Sequence, residues 1–71
     1  STNDDFDTAT SIGMYKFNGG PANNPAVSTG AYGILLVFTF DNYIMQLCYD
    51  FVNGFYCRNK VSSWSAWTKF N

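Results

Sequence analysis

The sequence predicts an all-β fold, a small antiparallel meander of about five strands, and it leaves room for one short helical turn near the N-terminus. Within residues 33–58, three runs rich in β-branched, aliphatic and aromatic residues are separated by two turn signals, Asp41-Asn42 and Asn53-Gly54. Asn-Gly between apolar runs is the strongest short-range hairpin signal, because a type I′ turn needs positive φ at both central residues. Asp and Asn also tolerate this region.

The pairing of the central strands follows if both turns are two-residue loops. Phe40 then faces Tyr43, Val52 faces Phe55 and Tyr49 faces Arg58. Because side chains alternate across a strand, one face becomes almost wholly apolar and is the predicted core face. It carries Ile34, Leu36, Phe38, Phe40, Tyr43, Met45, Leu47, Tyr49, Phe51 and Tyr56. The opposite face carries Leu35, Val37, Thr39, Ile44, Gln46, Cys48, Asp50, Phe55 and Cys57, and it is less polar than a solvated sheet face should be.

The remaining elements flank this meander. Residues 1–10 are predicted to be a polar leader or linker, with Phe6 plugging one end of the core, and residues 11–71 to be a single β domain. A first strand is predicted at 13–17, a long Gly/Asn/Pro loop at 18–32 and a last strand at 64–70. The three central strands are placed at about 31–40, 43–51 and 54–58. In a strand, Trp64 and Trp67 would point to opposite faces.

A chain of 71 residues has a thin stability margin unless disulfides, a metal or oligomerisation supplement its core. In the predicted register, Cys48 and Cys57 are diagonal neighbours roughly 7–8 Å apart, beyond the reach of a disulfide, so they are interpreted as reduced packing residues. Two thiols without histidine are too few ligands for a metal, and no cofactor is predicted. Oligomerisation is the supplement that is left, and other copies are expected to cover the opposite sheet face, which is too apolar for a lone monomer.

Composition excludes several classes of function. Charged residues make up 13% of the chain and the net charge is −1, so there is no basic patch for nucleic acid. The apolar run 34–40 is too short to cross a bilayer, and no membrane insertion is predicted. The chain has no histidine, which excludes the Ser-His-Asp and Cys-His arrangements. Its five aspartates offer no facing pair of carboxylates, and the chain is predicted not to be an enzyme.

A series of short motifs in a fixed order resembles the pyocin-knob type of domain. The series is Gly13-x-Tyr15, a Gly/Asn/Pro loop ending near Pro25, Gly33-Ile-Leu-Leu-Val, Gln46, Tyr56-x-Arg58 and Trp64-x-x-Trp67. Such domains occur in tail fibres, tailspikes and receptor-binding proteins of bacteriophages and of phage-derived bacteriocins. The likeness extends from about Asp5 to Phe70, and Cys57, between Tyr56 and Arg58, departs from the pattern.

The resemblance implies a function. Such a module would be a homotrimer in the tail fibre of a virion, assembled in the host cytoplasm and joined to an upstream fibre segment. It would attach the particle to a bacterial surface polysaccharide or other receptor. The alternative is a structural trimerisation or capping module with no ligand of its own.

Candidate ligand-binding residues are those that could stack on a sugar or order its hydroxyls. They are Asn18, Asn23, Asn24, Tyr56, Arg58, Trp64 and Trp67. Each also has a structural interpretation: the asparagines as turn and capping residues, the tryptophans as core or interface residues, and Arg58 as a cation–π clamp on the aromatic face beside Tyr49 and Tyr56. Gln46 lies within a strand and needs a hydrogen-bond partner, for which a backbone or intersubunit group is expected.

Overall fold

The computed structural model describes residues 5–25 and 32–70 and confirms an antiparallel all-β fold. A five-stranded sheet has the order β1-β2-β3-β4-β5. Its strands are β1 (Gly13–Phe17), β2 (Gly33–Phe40), β3 (Tyr43–Asp50), β4 (Gly54–Lys60) and β5 (Thr68–Lys69). A single 3₁₀ turn, Phe6–Thr8, precedes the sheet. Within the described residues, no helix is both long and apolar enough to cross a membrane.

Parts of two predicted segments, residues 1–4 of the leader and 26–31 of the long loop, lie outside the described residues, as does Asn71. The last strand is much shorter than predicted, because β5 has two residues. Before it, Trp64 forms an isolated bridge with Lys60. The stretch from Trp64 to Trp67 is therefore not a continuous strand, and the alternation expected of its side chains does not apply.

The hairpin between β2 and β3 has the predicted register. Phe40 pairs with Tyr43 and Ile34 with Tyr49, with two residues in the turn. Asp41 has a φ of 53°, a left-handed conformation that Asp and Asn adopt more readily than most residues. The Asp41-Asn42 signal therefore predicted this turn correctly.

The hairpin between β3 and β4 has a different register from the predicted one. Its loop contains three residues, Phe51 to Asn53, and Asp50 pairs with Gly54. The Asp50 carboxylate organises the loop: Oδ1 accepts hydrogen bonds from the backbone N–H groups of Val52 (2.8 Å) and Asn53 (3.0 Å). Gly54 follows with a φ of 111°, which favours glycine. An Asx-type loop therefore replaces the predicted type I′ turn.

This difference shifts β4 by three residues along β3. Because three is odd, every β4 side chain moves to the face opposite the predicted one. Cys48 pairs with Tyr56, and Cys57 pairs with Leu47. The two cysteines therefore lie on opposite faces rather than side by side. Both are free, as predicted.

One face of the sheet, here called the covered face, is buried by the rest of the chain. It carries Tyr15, Phe17, Leu35, Val37, Ile44, Gln46, Cys48, Asp50, Tyr56 and Arg58. Phe6 and Ala9 pack on it from the N-terminal segment and Trp67 packs on it from the C-terminal one. Phe6 is fully buried, as predicted, and its ring meets that of Phe17 edge to face at 5.1 Å between centroids.

The other face, here called the open face, has no covering layer among the described residues. It carries Met14, Lys16, Ile34, Leu36, Phe38, Phe40, Tyr43, Met45, Leu47, Tyr49, Phe55, Cys57, Asn59 and Thr68. Most of these residues form the face predicted to be the core, and that prediction is wrong for the single chain. The physical reason is that both chain segments that cover the sheet lie on the other side. There Gln46 bonds the N-terminal segment, and Arg58 pairs with Asp7 and contacts both tryptophan rings of the C-terminal segment.

Candidate functional site

Four of the predicted site residues, Asn23, Arg58, Trp64 and Trp67, meet on the covered face around Arg58. Arg58 comes from β4 and pairs with Gln46 of β3, rather than with Tyr49 as predicted. Its guanidinium carbon lies 3.9 Å from the ring centroid of Trp64 and 4.6 Å from that of Trp67. A planar guanidinium stacks well on aromatic rings, and each such contact contributes about 0.5–2 kcal/mol. The two tryptophans therefore share one cation and do not point to opposite faces.

Gln46 connects Arg58 to the N-terminal segment. Its Oε1 accepts a hydrogen bond of 2.8 Å from Arg58 Nε. Its Nε2 donates to the carbonyl oxygens of Phe6 at 2.7 Å and Ala9 at 2.9 Å. Gln46 is fully buried, and all three hydrogen bonds are within the chain, so the expected backbone partner is confirmed. Neither the spacing nor the composition of the sequence indicated the two carbonyl partners, which lie 40 and 37 residues away.

The charge of Arg58 is balanced by Asp7. Arg58 Nη2 lies 2.9 Å from Asp7 Oδ1, so the two side chains form an ion pair. Among the described residues, neither of these two atoms has a hydrogen-bond partner with good geometry. Burial lowers the pKa of Arg58, while the close contact and the charge of Asp7 act in the opposite direction. Because the pKa of arginine is normally above 12, the guanidinium remains charged. The ion pair therefore holds the N-terminal segment against β4.

A second set of contacts joins the loop after β1 to the C-terminal segment. Trp67 Nε1 donates to the carbonyl oxygen of Asn23 at 2.9 Å, and Asn23 Nδ2 donates to Asp5 Oδ1 at 2.7 Å. Asn23 has a φ of 63°. The Asn23 side chain and then the backbone N–H of Asp7 lower the pKa of Asp5, because both hydrogen bonds favour the carboxylate. The resulting chain of contacts runs from Asp5 through Asn23 to Trp67.

The other predicted site residues are less closely connected to this cluster. Asn24 Nδ2 donates to the carbonyl oxygen of Pro21 at 2.7 Å, which is turn chemistry. Tyr56 lies on the covered face, not on the aromatic face predicted for it, and its hydroxyl makes only a long contact of 3.5 Å with the carbonyl oxygen of Asn53. Asn18 directly follows β1 and is exposed.

Chemically, the cluster offers aromatic surface more than free polar atoms. Arg58 is 6% exposed, and its guanidinium lies among Gln46, Asp7 and the two rings. Both tryptophans are only half-buried, whereas Asn23 is exposed. A ligand reaching the cluster would meet the rims of the indole rings and the amide of Asn23 before it met the cation.

The open face is the second candidate site, and the sequence analysis assigned it to the core. Among its aromatic residues, Phe40 is 75% exposed and Tyr43 is 50% exposed. Two hollows lie on it. One, of about 300 Å³, is lined by residues that include Phe38, Phe40 and Met45. The other, of about 180 Å³, is lined by Met14, Ile34, Leu36, Leu47, Tyr49 and Phe55. The apolar pattern predicted the interface on the opposite face, but that face is buried within the single chain, where Leu35, Val37 and Cys48 belong to the core.

The chain was compared with known proteins at three levels. No family model, no curated protein and no solved structure matches it. The resemblance to pyocin-knob domains therefore stays a prediction from short motifs, and the functional conclusion depends on the geometry of the two faces.

Proposed function

We propose that this chain is a non-catalytic attachment module of a bacteriophage tail fibre or tailspike, which acts as a homotrimer in the virion and contacts a bacterial surface glycan. The observation that carries the proposal is the open face. A monomer in water rarely leaves so much contiguous apolar surface exposed. A module that is always assembled with identical copies, as in a fibre, has that surface available for contacts between them.

The glycan contact is proposed at the rim of the Arg58 cluster. Sugars pack their C–H faces on aromatic rings, while amide groups order their hydroxyls. Trp64 and Trp67 are half-buried, and the exposed Asn23 is bonded directly to Trp67. This arrangement supports the two tryptophans and Asn23 as ligand contacts. For Arg58 it supports a positioning role, because its guanidinium is stacked between the rings.

The structural alternative is a trimerisation or capping module without a ligand of its own. One specific observation favours it: polar side-chain groups in and beside the cluster are bonded within the chain. The amides of Asn23 and Asn24 donate to Asp5 and Pro21, and Arg58 is paired with Gln46 and Asp7. A cluster with this bonding stabilises the fold whether or not a ligand is present.

Binding to susceptible bacteria and to a glycan array separates the two functions. We expect the wild-type chain to bind, and Trp64→Leu to weaken binding by about tenfold, which corresponds to about 1.4 kcal/mol. Tyr32→Leu is the matched control, because Tyr32 is 46% exposed and lies outside the cluster. Circular dichroism would verify that both variants fold.

Two results would change the proposal. If the wild-type chain assembles but binds neither cells nor glycans, the structural alternative is correct. If incubation with host polysaccharide releases new reducing ends, the non-catalytic part of the proposal is wrong.

A further inference from the structure

We infer that the open faces of neighbouring copies of this chain pack against one another in the assembly. This face would then be the surface through which the copies associate. The inference rests on the proposed function in one respect, which is that a fibre module is assembled from identical copies. The identity of the receptor does not enter.

The exposed apolar area matches one side of a stable interface. Eight apolar residues on or next to the open face are 38–75% exposed: Met14, Phe38, Phe40, Tyr43, Met45, Tyr49, Phe55 and Phe70. With about 200 Å² for each fully exposed side chain, they leave roughly 800 Å² accessible. The largest apolar patch on an ordinary monomer is about 300–600 Å², whereas each partner in a standard interface contributes about 800 Å².

The charge of the face favours a second copy over a charged partner. Among the described residues whose side chains alternate onto this face, the one charged side chain is that of Lys16, on the edge strand β1, while Lys60 also lines the larger hollow. Nucleic acids, acidic peptides and basic segments would find almost no charge to pair with. An identical apolar face needs none, and two lysines at the margins of an interface can stay in water.

The shape of the face fits side chains better than it fits a flat surface. The hollow of about 300 Å³ lies at the end of the sheet where β2 turns into β3. The hollow of about 180 Å³ lies toward β1 and the start of β4. Phe40 and Met14, at the rims of these hollows, are 75% and 71% exposed. They can fill the hollows of a partner, as the anchor side chains of an interface do.

Sedimentation of the full chain tests the inference directly. We expect the wild-type chain to sediment at two or three times its mass of 8.0 kDa at micromolar concentration, and to dissociate on dilution. Phe38→Lys combined with Met45→Glu should sediment as a monomer. Because Phe38 and Met45 face each other across β2 and β3, the new charges can pair across the strands and preserve the fold.

The matched control is Val52→Lys. Val52 is 62% exposed, but it lies in the β3–β4 loop, away from the open face. This variant should retain the oligomeric state of the wild-type chain. If it dissociates as readily as the double variant, the assembly does not depend on the open face and the inference is wrong.

The two cysteines give an independent measurement, because they lie on opposite faces. Cys48 is fully buried, and burial, followed by the charge of Asp50, raises its pKa to about 12. It should stay unreactive toward a thiol reagent until the chain unfolds. Cys57 is half-buried on the open face. We expect no reactive thiol per chain in the assembled protein and one in the Phe38→Lys, Met45→Glu variant.

Failure of the inference can be told apart from failure of the proposed function. A folded monomeric wild-type chain whose Cys57 reacts as fast as it does in the double variant would overturn the inference, even if the chain binds bacteria. An assembled chain with Cys57 protected, but without binding to cells or glycans, would support the interface and refute the attachment function.

Discussion

The two faces of this sheet bury different kinds of residue. The covered face carries a buried glutamine, a buried aspartate and a buried arginine, each held by partners from the same chain. The open face carries mostly apolar side chains, and several of them are half exposed or more. Apolar content therefore did not decide which face the chain covers, since the covering segments lie on the more polar one.

The difference follows from what each kind of contact can specify. Apolar packing is non-directional, so an apolar surface can pack against any partner of complementary shape. The hydrogen bonds of Gln46 and the stacking of Arg58 need particular partners in particular positions. They direct the N-terminal and C-terminal segments to one face. Three predictions test this contrast.

The largest effect is expected from removing a buried ring on the covered side. Phe6→Ala should lower the free energy of unfolding by about 3–5 kcal/mol, because Phe6 is fully buried against Phe17 and Trp67. The measurement is urea denaturation of the dissociated chain. Since small domains are stable by only about 5–15 kcal/mol, the variant should be close to unfolding.

The matched substitution on the open face is Phe40→Ala. Phe40 is 75% exposed, so the same change of side chain should cost under about 0.5 kcal/mol in the dissociated chain. At concentrations where copies associate, its cost should increase. Equal costs for the two substitutions in the dissociated chain would show that both faces are buried within one copy.

An intermediate effect is expected from two neighbouring residues that point to opposite faces. Gln46→Met leaves two carbonyl oxygens and the Arg58 Nε without their partner, and it should cost about 2–4 kcal/mol. Met45→Gln, one residue away, should change the stability of the dissociated chain by less than about 0.5 kcal/mol. Thermal unfolding of both variants measures the contrast, and a mild effect of Gln46→Met would show that the covering segments are held by apolar contacts alone.

The smallest effect is expected from acid. The pKa of Asp5 is lowered from 3.8 in the folded chain, so its contribution to stability is present above the unfolded pKa and is lost as pH falls through the folded value. Asp5→Asn keeps an oxygen acceptor but cannot ionise. The urea midpoints of the two proteins should therefore differ at neutral pH and converge once the pH falls below the lowered pKa of Asp5.

The open face carries no carboxylate among its described residues. A difference between wild type and Asp5→Asn that persists unchanged down to pH 2 would show that ionised Asp5 does not hold the covering segment.

Much of the strand order could be predicted from sequence. The Asp41-Asn42 signal predicted the β2–β3 register correctly, because Asp41 adopts the positive φ that such a two-residue loop requires. The β3–β4 register could not be predicted from Asn53-Gly54 alone, because the Asp50 carboxylate bonds two loop N–H groups and adds a residue to the loop. This local hydrogen-bonding choice reversed the faces of β4.

Which face of the sheet is buried was harder to predict from the sequence. Both faces of the meander are apolar enough to be a core, and the decision depends on contacts between residues far apart in the chain. The prediction that Arg58 makes cation–π contacts is confirmed, but its aromatic partners are Trp64 and Trp67. Tyr49 and Tyr56 were the partners predicted. The partners Asp7 and Gln46 have no local signature that links them to Arg58.

The contacts around Arg58 also have a consequence for how the chain reaches its native state. Asp7 and Arg58 are 51 positions apart in a chain of 71 residues, and Trp67 bonds to Asn23 across 44 positions. Closing such long loops costs entropy before any contact compensates for it, and domains dominated by distant contacts fold in milliseconds to seconds. The hairpins can form early because their contacts are local, whereas burial of the covered face requires both flanking segments to pack on the sheet together.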